Sequence, residues 1–153
     1  MKIKVGILSA IIIIIDQITK YVIQTNTSLH GSIEIIENFF YITYAKNTGM
    51  GWSMLSGHTS FLALASFIVV LGLCYLFYKA KKENTIEILC YGLLISGAIG
   101  NLIDRVWLNY VRDFLDFYIF GYDFPIFNVA DMAVTFGAIL LIYIFIKEEM
   151  KHE

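Results

Sequence analysis

The chain has 153 residues, of which 58% are hydrophobic and 16% charged, with a formal net charge of −2 and a mean hydropathy of +0.70. Soluble domains carry roughly 45–50% apolar and about 25% charged residues, so the composition specifies a single integral membrane domain over 1–153. The net charge gives no pointer to nucleic acid, and no basic patch exists beyond short loop clusters, so no nucleic-acid partner is expected. Neither the cysteines nor the histidines have a spacing that suits a disulfide framework or zinc.

Lys2 and Lys4 precede an apolar run, as in a cleaved leader, but no small-residue cleavage site follows and DQITK interrupts its end. We read it as a retained span over about 4–24, since a helix rising 1.5 Å per residue needs roughly 20 residues to cross a bilayer. Its isoleucines favour a strand in water, but a lone strand in lipid leaves its backbone unpaired, so helix is expected. Asp16 and Lys20 stand four apart on one face near the far end, where they tether helix to loop.

Residues 25–59 form the first outer loop. Ile33–Ile36 and Phe39–Tyr44, split by Glu37 and Asn38, read as a hairpin or small sheet on the membrane surface. AKNTGMGWSM follows, with Gly49 and Gly51 permitting turns, and Ser56-Gly57-His58-Thr59 reads as a turn leading into a helix N-cap. A charge-free span over 60–78 is closed by Lys79, Lys81 and Lys82, and Glu83-Asn84 turns the chain. The third span covers 86–104; its Gly92, Ser96 and Gly100 form a small-residue stripe for close helix packing. Cys74 and Cys90 read as small buried hydrophobes. Residues 105–125 form a second outer loop whose aromatics, from Trp107 to Phe124, suit an interfacial belt. Pro125 is expected at the start of the fourth span, 126–146.

Lys2, Lys4, Lys79, Lys81, Lys82, Lys147 and Lys151 fall on one side, and Lys20, Lys46, Arg105 and Arg112 on the other. That bias places both termini in the cytoplasm. The polar motifs then gather at the outer end of the bundle.

Polar groups at this depth cost several kcal/mol each unless paired or used. Gly97, Asn101 and Asp104 share one face of the third span, with Arg105 one position round, and Asn128 and Asp131 share one face of the fourth. Asp104, Asp113 and Asp131 can converge at the outer surface. Two neighbouring carboxylates share a proton, the state that activates water and protonates an amide. Each residue also has a plainer role open to it. Asp104 can be a salt bridge to Arg105 or Arg112, Asp131 can complement a helix dipole, and Asp113 can be a solvated loop acid. Asp123 suits a turn, Asp116 rivals Asp113, and a Ser96–Lys20 dyad needs partners at different depths. An ion-coupled transporter would require ionisable groups through the bundle, yet the third span has only Glu87 near its inner end. A non-catalytic scaffold leaves the clustered acids unexplained.

DQITK at 16–20, NTGMGWS at 47–53, GAIGNLIDR at 97–105, VRDF at 111–114 and FNVAD at 127–131 resemble, in order and on four predicted spans, the motif series of lipoprotein signal peptidase, or signal peptidase II. The resemblance implies an intramembrane aspartyl endopeptidase of the bacterial cytoplasmic (inner) membrane, with its site at the outer face. It implies cleavage of diacylglyceryl-modified prolipoproteins just before the lipidated cysteine, by an aspartate dyad and an activated water. Asp113 and Asp131 are the implied catalytic pair. Asp16, Lys20, Asn47, Gly49, Asn101, Asp104, Arg105 and Asn128 are the implied supporting or substrate-binding positions. No metal or cofactor is implied, and lipid-modified prolipoproteins and membrane lipid are the expected partners of a monomer. The implied fold is all-α, four transmembrane helices with a small extracytoplasmic β-sheet and a loop-helix within 105–124. Met50, Gly51 and Trp52 depart from the small residues and Phe that the family shows after Asn-x-Gly, which alters local packing or pocket shape.

Overall fold

The computed structural model describes residues 1–50, 54–81 and 84–150. Gly51 and Trp52 of the departing motif, the turn residues Lys82 and Glu83, and Lys151 lie outside the described residues. Four helices, α1 (Lys2–Asn26), α2 (Thr59–Lys79), α3 (Thr85–Leu108) and α4 (Val129–Glu149), are each long and apolar enough to cross a membrane. Their outer faces stay apolar: Ile3, Ile7, Ile11, Ile14 and Ile18 make an exposed stripe along α1, while Asp16 and Lys20 on the inner face are fully buried. Hydrocarbon favours this arrangement, because it solvates the isoleucines and leaves the charges to each other.

The central helix is α3, which packs against α1, α2 and α4. Its small residues make that possible. A Cβ at Gly97 would run into the Ala130 carbonyl and Val134 of α4, and one at Gly100 would lie 2.7 Å from the Asp16 carboxylate and 2.9 Å from the Ala130 methyl. Only glycine lets the three helices meet here. Of the two cysteines, Cys90 is buried and donates to Gly137 O at 3.2 Å, whereas Cys74 is exposed on α2.

Above the bundle lies a four-stranded antiparallel sheet in sequence order, β1 (Ser32–Ile36), β2 (Phe40–Asn47), β3 (Val111–Ile119) and β4 (Tyr122–Asp123). The expected hairpin is its first half. The second half replaces the expected loop-helix in 105–124: α3 runs on to Leu108, Asn109 turns the chain in the left-handed conformation (φ 61°), and β3 pairs with β2. An alternating strand pairs its whole backbone, and VRDFLDFYI has the β-branched and aromatic residues to pack once a partner strand exists. Phe120 and Gly121, both at positive φ, make the two-residue turn into β4, so Asp123 is a strand residue opposite Tyr118 rather than part of the turn. A bulge between Ile42 and Ala45 lets β2 bend over the helices.

Register separates the two faces. Ile33, Ile42 and Leu115 lie opposite one another, as do Ile36, Phe40 and Phe117, while Glu34, Tyr41 and Asp116 occupy the other face. Phe117 stacks on Phe40 at 4.5 Å and on Phe127 at 5.7 Å. Pro125 does not open α4. Phe127 first pairs backbone to backbone with Leu115 of β3, which delays the helix until Val129, with Asn128 as its N-cap. At the start of α2 the turn forms as expected, but the N-cap is His58 and no side chain makes a cap bond.

Candidate active site

Asp113 and Asp131 line one cavity of about 440 Å³ between the sheet and the ends of α3 and α4, together with Asn47, Asn101 and Arg105. β3 supplies Asp113, only 3% exposed, and the first turn of α4 supplies Asp131, which is half-buried. The link between them is Asn128. Its Nδ2 donates to Asp113 Oδ1 at 2.6 Å, and its Oδ1 accepts from the Asp131 N–H at 3.0 Å. Asp131 Oδ2 in turn accepts the Asn128 backbone N–H at 3.1 Å, closing a capping box. The helix start therefore fixes both carboxylates relative to each other.

The remaining carboxylate oxygens are also held. Asn47 Nδ2 donates to Asp113 Oδ2 at 3.0 Å, and Asn101 Nδ2 donates to Asp131 Oδ1 at 2.7 Å. Burial pushes the Asp113 carboxyl up to about 7; the neighbouring charge of Asp131 adds to this, and the Asn47 and Asn128 hydrogen bonds oppose it. A carboxyl of that strength can hold a proton near neutral pH beside an ionised partner.

The sequence of this chain matches the family model of signal peptidase (SPase) II over residues 8–147. The chain belongs to the signal peptidase II family. Lipoprotein signal peptidases of Staphylococcus aureus strains MRSA252 and JH9 are 42% and 41% identical to it over 142 residues, spanning 93% of this chain and 87% of theirs. Two solved structures of bacterial membrane enzymes are similar throughout. One has a TM-score of 0.91 at 41% identity, covering 97% of this chain and 91% of its own; the other has 0.84 at 43%, covering 93% and 92%. The chain is thus a lipoprotein signal peptidase, a membrane protease with prolipoprotein substrates, and the transporter and scaffold readings are set aside.

The other motif residues of this signal peptidase fall into two groups. Arg105 lines the cavity wall and Gly49 braces it. Asn47 Oδ1 accepts the Gly49 N–H at 2.9 Å, and Arg105 Nη2 donates to the Gly49 carbonyl at 3.0 Å. Asp16, Lys20 and Asp104 lie behind the cavity and are fully buried. Asp104 does not join Asp113 and Asp131; it takes the Arg112 backbone N–H at 2.9 Å, and its carboxylate is gripped by Arg112 Nε at 3.1 Å and Nη2 at 2.7 Å. Of the two arginines open to Asp104, the fold selects Arg112. Asp16 tethers helix to helix rather than helix to loop. Its Oδ2 pairs with Lys20 at 2.8 Å, and its Oδ1 accepts the Ala130 N–H of α4 at 2.8 Å.

Asp116, the rival of Asp113, points to the opposite face of β3 and accepts from Thr43. Ser96 donates to the Leu93 carbonyl at 2.9 Å in its own helix, so no Ser–Lys dyad forms. Sequence reasoning missed Gln17 and Gln24, which accept from Arg112 Nη2 at 2.9 Å and Nη1 at 3.1 Å. A signal was available: 16, 17, 20 and 24 fall within one helical face of α1.

Proposed function

We propose that Asp113 and Asp131 share one proton and hydrolyse the peptide bond just before the lipidated cysteine of a diacylglyceryl-modified prolipoprotein. The cavity holds a water between the two carboxylates and the substrate carbonyl. Ionised Asp131 takes a proton as the water oxygen attacks, and protonated Asp113 donates to the carbonyl oxygen, giving a gem-diol. Asp131 then gives its proton to the nitrogen, the C–N bond breaks, and the C=O re-forms as one hydroxyl returns its proton to Asp113, restoring the dyad. The lipidated cysteine leaves as a new amine and the signal peptide as a carboxylic acid. The lysine distribution favours cytoplasmic termini, a site at the outer face, and acyl chains that stay in lipid while the scissile bond reaches the dyad.

The observation that carries this reading is that one buried side chain, Asn128, holds Asp113 while capping the backbone of Asp131. Asp113→Asn and Asp131→Asn, each purified in detergent and given a diacylglyceryl-modified prolipoprotein, are expected to release no signal peptide while still melting as folded proteins. Processing by both variants at near the wild-type rate would remove the dyad from the mechanism.

A further inference from the structure

Asn101 has the most consequential choice of orientation in the site, because an amide can turn either its carbonyl or its NH2 towards a neighbour. Here the NH2 donates to Asp131 Oδ1, and the carbonyl oxygen receives two donors, Lys20 Nζ at 3.0 Å and Asn128 Nδ2 at 3.2 Å. Turned over, the carbonyl would face the Asp131 carboxylate and the NH2 would face an ammonium. Both contacts would be repulsive.

We propose that Lys20, which touches neither carboxylate of the dyad, is a positioning residue for the hydrolysis: its buried ammonium holds the Asn101 carbonyl so that Asn101 can only donate to Asp131. The proposal rests on the dyad reading above and adds to it the reason a cation is buried on α1. Lys20 is 0% exposed and its three N–H bonds face three acceptors: Asp16 Oδ2 at 2.8 Å, Asn101 Oδ1 and, at 3.6 Å, Asp104 Oδ2. Asp16 and Asp104 flank the ammonium and hold it in place, with Arg112 taking up most of Asp104. Asn101 is the acceptor that passes its position to the site. With Asn101 on Oδ1 and the Asn128 N–H on Oδ2, both Asp131 oxygens accept hydrogen bonds that favour its carboxylate and fix its orientation. Removing the ammonium therefore acts on the chemical step and leaves substrate binding alone.

The test uses the full-length protein and two double variants that keep the buried charge balanced. Asp16→Asn with Lys20→Met keeps an acceptor for the Ala130 N–H and removes the donor to Asn101. Asp16→Asn with Lys20→Gln replaces the lost donor with a neutral one. With a diacylglyceryl-modified prolipoprotein, the methionine variant is expected to lose roughly thirtyfold in kcat, the worth of one hydrogen bond to a charged group, with KM unchanged. The glutamine variant is expected to recover a substantial part of that loss. Wild-type kcat in the methionine variant, a loss confined to KM, or no recovery with glutamine overturns the proposal. So does failure of the glutamine variant to fold, since the pair would then be purely structural. Asp113→Asn and Asp131→Asn run beside them: if they cleave, the dyad reading falls, whereas the outcomes above leave it standing.

Discussion

Replacing Asn128 by serine or by alanine separates the two tasks of its side chain. Serine keeps an oxygen for the Asp131 N–H and caps a helix about as well as asparagine; alanine does not, at a cost of about 1 kcal/mol. Neither residue has the amide hydrogens that reach Asp113 Oδ1 at 2.6 Å and Asn101 Oδ1 at 3.2 Å. Asn128 is 0% exposed, so its donor to Asp113 is not readily replaced by solvent. Asp113 is the protonated member of the proposed dyad, and a hydrogen bond to a neutral group contributes about 0.5–1.5 kcal/mol, which corresponds to roughly twofold to twelvefold in rate. Both variants should therefore lose cleavage by a similar factor in that range, while the alanine variant is less stable than the serine variant by about 1 kcal/mol. Timed cleavage of a diacylglyceryl-modified prolipoprotein and denaturation of the same detergent-purified samples measure the two quantities. If the serine variant cleaves at the wild-type rate and only alanine fails, Asn128 acts through the helix cap alone and its hold on Asp113 does not matter.

The raised Asp113 carboxyl predicts opposite trends for stability and for activity. Its folded value of about 7 lies above the ordinary 3.8, so the stability it contributes is present below about pH 4 and is lost as pH rises through about 7. Asp113→Asn cannot ionise and should gain on wild type across that window in thermal melts, reaching a constant advantage above it. Wild-type cleavage should fall about tenfold per pH unit above about pH 7 as the shared proton is lost; a flat rate on the alkaline side would contradict the role given to Asp113. At Gly97, a methyl group would push on the Ala130 carbonyl, one residue before Asp131, whereas Gly72 of α2 faces open space. Gly97→Ala is expected to lower cleavage and melting temperature together, and Gly72→Ala to leave both unchanged.

The four spans were legible because uninterrupted apolar length has one outcome in a bilayer. β3 was less legible. The aromatics of VRDFLDFYIF suit a membrane belt as well as a strand, and the strand forms only by pairing with β2, whose Tyr41 lies opposite Asp116 far along the chain. The same nonlocal contact delays α4: Phe127 is drawn into the sheet by Leu115, so the start signal at Pro125 is overridden and Asn128 becomes the cap. Within the site, helical spacing showed that Gly97, Asn101 and Asp104 share a face, but not that Gly97 meets α4, Asn101 meets Asp131, and Asp104 meets Lys20 and Arg112. Spacing fixes direction along one helix, and the partner depends on where the others cross. The Asn109 turn decides the arginine, because it brings the chain back over Asp104 at Arg112.

Charge accounting explains how so polar a cluster persists between apolar helices. Behind the cavity, Asp16 and Asp104 are matched by Lys20 and Arg112, two acids against two bases in contact, so that layer adds no net charge. In the cavity, a dyad with one shared proton carries one negative charge against Arg105, the less exposed of the two cations on its wall, while Lys46 is exposed and solvated. The balance would fail with both aspartates ionised, leaving an excess negative charge in a poorly solvated pocket, and with both protonated, leaving Arg105 unmatched. The singly protonated dyad that the proposed hydrolysis requires is thus also the state that offsets the Arg105 charge. The same charges that let these residues be buried in a membrane favour the protonation state that the proposed chemistry uses.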